Sequence, residues 1–338
     1  MALSDECVEH ILRRIPTLTI GVVGDLFLDR YLDIDAALTE PSLETGLDAY
    51  QVVRVRAYPG AAGTVINNLV ALGVGQVVPV AVTGDDGEGY ELRQALQDQR
   101  VVEPRYLLAD ASRRTPTYTK PMLREPGQPS RELNRLDIKN RQPLGNAAEQ
   151  HVFAAMDEMW DQVDALVVLD QVSEPECGVV TTRVRERLAE LGRADPAKMI
   201  LADSRERIGL FRYVGIKPNQ RECCQAAHTA DVQVAVRELA RHTRRPVFCT
   251  AGDKGILLFD PEGGGAVAQP AYLVGAPIDP VGAGDSTSAG IVCARAAGAT
   301  LAEAAAFGNL VASITVQQLG ITGTASPEQV RRRWREVR

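Results

Sequence analysis

Asp279-Pro-Val-Gly-Ala-Gly-Asp-Ser-Thr287 runs into an apolar stretch from Ala289 to Ala297. Gly282 and Gly284 flank Ala283 just ahead of a segment that reads as a helix, so the backbone can turn sharply and present several N–H groups at the helix's positive end. An anion belongs there. Asp285 adds a carboxylate at the mouth of this nest, where a phosphate ringed by donors would otherwise call only for positive charge. Together they point to phosphoryl transfer to a hydroxyl. Gly282, Ala283 and Gly284 neutralise charge building on the transferring group, and Asp285 accepts the acceptor's proton. The same string also suits a plain tight turn with an aspartate N-cap, so the remainder of the chain must decide between the two.

The 338 residues, 45% hydrophobic and 24% charged, suffice for one large α/β domain with its own core. No run approaches the roughly 18 apolar residues of a membrane span, and a net charge of −7 argues against a nucleic-acid partner. The six cysteines show no C-x-x-C spacing and the four histidines no ligand spacing, which speaks against disulfides and a zinc site. The first fifteen residues read as an amphipathic helix with acids early and arginines late, without a signal peptide's apolar centre; the expected compartment is the cytoplasm.

Short apolar runs alternate with longer stretches of helical period. Strands are expected at Thr19 to Val23, Val77 to Val82, Ala165 to Leu169, Met199 to Ala202, Val247 to Thr250 and Gly255 to Phe259. Helices are expected at Ala62 to Leu72, Gly89 to Gln99, Ala147 to Gln162, Gly178 to Leu191, Val232 to Arg241, Asp285 to Ala297 and Leu301 to Leu319. This rhythm predicts a mostly parallel sheet with helices on both faces and ligands at the carboxyl ends of its strands. Two regions break it, Tyr31 to Arg56 and Arg113 to Ile138, whose alternating segments suit a small sheet inserted into the single domain 1–338. Such a sheet would act as a lid that excludes water, or hide its edges against a second copy in a homodimer.

With the glycine nest goes a resemblance. Asp279-Pro-Val-Gly-Ala-Gly-Asp-Ser-Thr-Ser-Ala-Gly290 resembles the C-terminal signature of the ribokinase-like (PfkB) sugar kinases. Val23-Gly-Asp-Leu-Phe-Leu-Asp-Arg-Tyr31, Tyr58-Pro-Gly-Ala-Ala-Gly-Thr64, Thr115-Pro-Thr-Tyr-Thr-Lys120 and Arg135-Leu-Asp137 are similar to that family's heptose-phosphate kinase branch. The resemblance implies ATP and Mg²⁺ as cofactors, Asp285 as base, Gly282 to Asp285 as anion hole, and a lid that often doubles as a dimer interface. Asn219-Gln-Arg-Glu222 is similar to the family's N-x-x-E motif, so Asn219 and Glu222 would hold Mg²⁺ mainly through water. The same four residues also make an ordinary capped helix start. Thr250, Gly252 and Gly255 match its T-x-G-x-x-G turn beside the nucleotide, a string that equally makes a hairpin turn. Asn309 and the region through Leu319-Gly320 fall where the family closes over adenine, with a buried, internally satisfied Asn309 as the other reading. Asp279 marks the place of a monovalent cation, potassium for example.

On the acceptor side the resemblance makes Asp29 the carboxylate that binds sugar hydroxyls, unless it forms a surface ion pair with Arg30 or Arg56. Gly60 and Ala61 stand where the family has a glycine pair, and Thr64 where it has an asparagine. Lys120 is placed either to pair with a substrate phosphate or to face solvent. The segment after Asp170, Gln-Val-Ser-Glu-Pro-Glu, departs from the branch's D-Y-x-K-G, so its substrate does not carry over. The expected activity is ATP-dependent phosphorylation of a sugar or sugar phosphate. A nucleoside kinase of the same fold, or a sugar- or nucleotide-binding regulatory protein without turnover, are the rivals. Gly21-Val-Val-Gly24 lacks the G-x-G-x-x-G of a dinucleotide site.

Overall fold

A computed structural model describes residues 3–263, 265–320 and 322–338. Its central sheet contains β1 (Thr19–Gly24), β6 (Gln76–Gly84), β7 (Leu107–Asp110), β11 (Ala165–Asp170), β12 (Met199–Ser204), β13 (Gly215–Ile216), β14 (Val247–Thr250), β15 (Ile256–Asp260) and β16 (Gly265–Gln269), in the order β16-β15-β14-β13-β12-β11-β1-β6-β7. Pairing is parallel from β7 across to β14; β15 and β16 add two antiparallel pairings at the far edge. Interior strands are buried along their length because helices cover both faces. Ala165, Val167 and Leu169 of β11 point into one core while Leu166 and Val168 point into the other, the period-2 alternation of a strand.

Residues of α1 (Asp5–Arg14), α2 (Ala62–Ala71), α3 (Gly87–Gln97), α8 (Ala283–Ala296), α9 (Leu301–Thr315) and α10 (Pro327–Val337) pack into the first core. Those of α4 (Asn146–Trp160), α5 (Thr182–Ala194), α6 (Gln220–Ala226) and α7 (Val232–Thr243) pack into the second. Gly290 of α8 faces Gly308 of α9 so closely that a Cβ on Gly290 would lie 2.9 Å from the Gly308 Cα. This close crossing fixes α8, whose first turn is the glycine nest.

The expected helices and strands are present with shifted ends. The α5 helix starts at Thr182 rather than Gly178, because Val179 gives its N–H to the Asp25 carboxylate and Thr181 caps the helix. The α9 helix stops at Thr315, short of Leu319. The strands β7, β13 and β16 had no counterpart among the expected ones. Each is a short run whose alternation is too brief to stand out.

The second sheet orders β10-β8-β2-β5, with β9 paired to β8, from β2 (Leu26–Asp35), β5 (Val52–Ala61), β8 (Thr117–Arg124), β9 (Arg131–Glu132) and β10 (Leu136–Ile138). A hairpin of β3 (Glu40–Pro41) and β4 (Asp48–Ala49) spans the β2–β5 connection. The sheet reaches beyond the span Tyr31 to Arg56 at both ends, since the β2–β5 ladder runs unbroken back to Leu26 and Ala61. It therefore begins inside the main core, where Leu26 and Leu28 are buried. Among the described residues no helix is long and apolar enough to cross a membrane.

Candidate active site

The carboxyl ends of β12, β13 and β14 and the first turn of α8 converge on one spot. Gly282 is the N-cap of α8 with φ +79°, a conformation that favours glycine, and a Cβ there would lie 2.4 Å from the Thr322 Cγ2. Ala283, Gly284 and Asp285 form the first turn; Ala283 gives its N–H to the Pro280 carbonyl at 3.1 Å, while the N–H groups of Gly284 and Asp285 have no carbonyl one turn back within the helix to receive them. Ser286 and Thr287 anchor that turn by donating to the Ala283 carbonyl.

Asp285 lies half-buried with Asp203, Lys217, Arg205 and Asp29 in electrostatic reach. Burial, reinforced by the Asp203 carboxylate, raises its pKa to about 7, against the pull of Lys217 and Arg205. It therefore changes charge near neutral pH, the range in which a proton acceptor works best. Lys217, directly after β13, is buried with its Nζ 2.8 Å from Asp203 at the end of β12. A Cβ on Gly284 would meet that Nζ at 3.4 Å. Lys217 is not among the residues singled out from the sequence above. The available signal was a lysine ending an otherwise apolar strand, a position where lysine is rare unless paired.

Asn219 and Glu222 form a reciprocal capping box on α6: Asn219 Oδ1 accepts the Glu222 N–H at 2.9 Å, and Glu222 Oε2 accepts the Asn219 N–H at 2.8 Å. The capped helix start and the N-x-x-E motif are thus one arrangement. Burial, with Asp203 nearby, raises the Glu222 pKa, against the Asn219 N–H and the Lys217 charge. Thr250 donates its N–H to the Pro218 carbonyl, which ties the next turn to this one. Gly252 has φ +59° with open space where a Cβ would be, and Gly255 has φ +90° against the Gln269 carbonyl.

Asn309 and the region through Leu319-Gly320 were the expected closure over adenine, with a buried, internally satisfied Asn309 as the other reading. Asn309 is buried and gives its side-chain N–H groups to the carbonyls of Gln269 and Pro270, at 3.0 and 3.1 Å, so it ties α9 to the end of β16. Beyond α9, Gly320 and Thr322 line a cavity of about 170 Å³ with Asp29, Tyr31, Arg56, Tyr58, Pro59 and Asn67. Asp279 joins the two loops, accepting from the N–H of Val281 and, at 3.1 Å, from that of Gly320.

In that cavity Asp29, on β2, has Lys120 of β8 as its cation, 3.7 Å away. Neither Arg30 nor Arg56 takes that place: Arg30 pairs with Glu88 and Glu91, and Arg56 with Asp33. Lys120 does not face solvent. It donates to the Tyr31 hydroxyl at 3.1 Å and sits 4.7 Å from the centre of that ring. Burial raises the Asp29 pKa, against the Lys120 and Arg135 charges. Gly60 lies opposite this carboxylate, where a Cβ would come within 2.9 Å of Asp29 Oδ2. Ala61 keeps the backbone form of a glycine, φ 53° and ψ −117°, and Thr64 is buried in the first turn of α2 with its Cγ2 towards Gly282.

Asp25, which sequence reading passed over, braces the site from below. Its buried carboxylate accepts the N–H groups of Gln171, Val172 and Val179 at 2.7 to 3.0 Å. Burial and the neighbouring Asp170 raise its pKa to about 6.

The mostly parallel sheet flanked by helices, with its small second sheet, is the ribokinase-like fold. The *Arabidopsis thaliana* ribokinase complexed with ribose and ATP superposes with a TM-score of 0.69 at 16% identity over 94% of this chain and 98% of that one. *Escherichia coli* phosphofructokinase-2 in complex with potassium gives 0.70 at 16% identity over 95% and 99%. The chain belongs to the pfkB family of carbohydrate kinases, whose model matches residues 26–329. Among curated proteins it is 31% identical to the bifunctional protein HldE of *Pelobacter propionicus* over 96% of its length, and 30% identical to that of *Caulobacter vibrioides* over 94%. The chain spans 64% and 63% of the length of these two relatives.

Proposed function

We propose that this chain transfers the γ-phosphoryl group of Mg·ATP to a hydroxyl of a sugar or sugar phosphate held in the cavity between β2, β5 and α2. The observation that carries the reading is Asp285, an acid raised to about 7 at the opening turn of α8, beside the buried Lys217. ATP supplies the transferable phosphoryl group and Mg²⁺ offsets its charge. Asp29 accepts hydrogen bonds from hydroxyls of the acceptor and so orients it towards α8. Asp285 takes the proton of the reacting hydroxyl. The N–H groups of Gly282, Gly284 and Asp285, aided by the helix dipole and the Lys217 ammonium, hold the negative charge that grows on the transferring group, with Ala283 shaping the turn through its N–H to the Pro280 carbonyl.

After burial, the Asp203 carboxylate helps raise the pKa of both Glu222 and Asp285, a negative field in this corner that suits a divalent cation. Asn219 and Glu222 would hold it through water, which leaves their capping box intact. Asp279, joining two loops that offer backbone carbonyls, would hold a monovalent cation. The six cysteines are free thiols, in keeping with a cytoplasmic enzyme. The exposed edge of β5 supports a homodimer formed through the lid. A nucleoside acceptor fits less well, since the Tyr31 ring is already covered by Lys120 and Arg56, at 4.7 and 4.8 Å.

ATP consumption measured against a panel of sugars, sugar phosphates and nucleosides tests the proposal. One or more carbohydrates should support turnover that the Asp285→Asn variant loses. Turnover with nucleosides alone, or none with any member, defeats it.

A further inference from the structure

The groups described so far sit at the carboxyl ends of the parallel strands. At the opposite end, where β12, β13 and β14 begin and β15 finishes, a second cavity of about 200 Å³ opens, slightly larger than the acceptor cavity. Six-residue β12 separates the two ends by about 15 to 20 Å. Four cations line this lower cavity, Lys198, Arg244, Arg245 and Arg295, together with the two carboxylates of Asp260 and Glu262.

None of the four forms an ion pair, although the chain has many elsewhere among the described residues. Lys198 donates to the Trp160 carbonyl at 2.6 Å and lies over that indole. Arg245 spends two N–H groups on the carbonyls of Arg244 and Gly192. Arg244 has only the Tyr213 ring, 5.5 Å from its guanidinium carbon, and holds a left-handed backbone conformation at the end of α7. Arg295 donates to the Ala299 carbonyl, while its Nε is buried without any partner. Asp260 draws on Arg295 only at a distance and accepts the Glu262 N–H.

A cation in the last turn of α8 suits the helix dipole, which accounts for Arg295 by itself. It does not account for three further cations turned to the same hollow, where each raises the cost of the others. Guanidinium forks at a cavity wall match the oxygens of a phosphate group. We propose that the lower cavity is a second binding site, for a phosphorylated metabolite of about the acceptor's size, with its phosphate held by Arg244, Arg245 and Arg295.

The test uses the whole chain with inorganic phosphate and glucose 6-phosphate as probes, and does not depend on any catalytic assignment. Either probe should slow phenylglyoxal modification of Arg244 and Arg245 several-fold, read by peptide mass spectrometry, and leave exposed Arg332 unaffected. Arg244→Gln removes an exposed side chain that makes no hydrogen bond, so the fold should survive it. This variant should weaken binding at the protected site about tenfold in equilibrium dialysis, the loss expected for one charge-assisted contact. Arg295→Gln should do the same. Modification rates unchanged by both probes, equal protection of Arg332, or variant isotherms that superimpose on the parent's would overturn the proposal.

Discussion

The Lys217 ammonium and the Asp203 carboxylate lie 2.8 Å apart, both largely out of solvent, beneath the Gly284 turn of α8. A buried pair of this kind is weak support for stability as a pair, yet removing one partner strands the other. Lys217→Met should destabilise the protein by about 3 to 5 kcal/mol in urea unfolding. Adding Asp203→Leu should recover much of that loss. Turnover should stay low in the double variant, because the positive charge beside the nest is gone. Full activity in the double variant would show that the pair serves the fold alone.

Asp285→Asn keeps the shape and removes the proton acceptor. Turnover should fall by about 10² to 10⁴-fold while ATP affinity changes little. In the parent, kcat/KM for the acceptor should climb as pH rises through about 7, where Asp285 loses its proton. The same shift acts on stability with the opposite sign. Between the unfolded carboxyl's pKa near 4 and the folded value, the native state holds the extra proton, so stability falls as pH rises across that window. Asp285→Asn should therefore be the more stable protein at pH 8, by about 1 to 2 kcal/mol, with the advantage fading towards pH 4. A pH-independent difference in melting temperature would contradict this account.

Sequence reading reached α8 and its glycine nest because helix starts and apolar runs are local signals, visible within a dozen residues. Asp29 was legible too, but its partner was not. The cation is Lys120, brought alongside by the parallel pairing of β2 with β8 across some 90 residues of chain, and nothing local announces that register. Asn309 shows the same limit. Its polarity in an apolar helix was visible, whereas its acceptors, the carbonyls of Gln269 and Pro270, depend on how β16 ends against α9.

Ala61 holds φ 53° and ψ −117°, a conformation that glycine adopts freely and alanine does not. Strain of this kind costs on the order of 1 to 3 kcal/mol, and glycine gives back roughly 0.5 to 1 kcal/mol through its freer unfolded chain. Ala61→Gly should thus stabilise the protein by about 1 kcal/mol, and Ala61→Val should destabilise it. Thermal melts of the three proteins decide the matter; a less stable glycine variant would mean that the alanine methyl packs usefully against the lid base.

One edge of the second sheet is β5, where Val53 and Val55 are 58% and 55% exposed on a strand paired only on its inner side, to β2. Exposed apolar edges invite a second strand. A homodimer joined there should dissociate on Val53→Glu combined with Val55→Lys, with the monomer still folded. Analytical ultracentrifugation reads this directly. A parent that sediments as a monomer at every concentration, with and without acceptor, removes the dimer and leaves the lid's role over the cavity untouched.

Specificity is the point at which this chain departs most from its relatives. Thr64 offers a methyl group near the nest where a polar contact to the acceptor is expected by resemblance, and the loop after Asp170 is differently built. A heptose phosphate would leave at least one polar group unpaired in the cavity, at a cost of roughly 1 to 3 kcal/mol, or about one to two powers of ten in kcat/KM. Heptose phosphate should therefore rank below another carbohydrate in an acceptor panel. Asp29→Ala should lower kcat/KM for the preferred acceptor with ATP affinity nearly unchanged. Lys120→Met should do so more strongly for phosphorylated acceptors than for neutral ones, since its ammonium pairs with Asp29, which lines the cavity. A clear preference for heptose phosphate refutes the ranking, parental acceptor kinetics in Asp29→Ala refute its role, and equal losses across neutral and phosphorylated acceptors would confine Lys120 to holding Asp29 and Tyr31 in place.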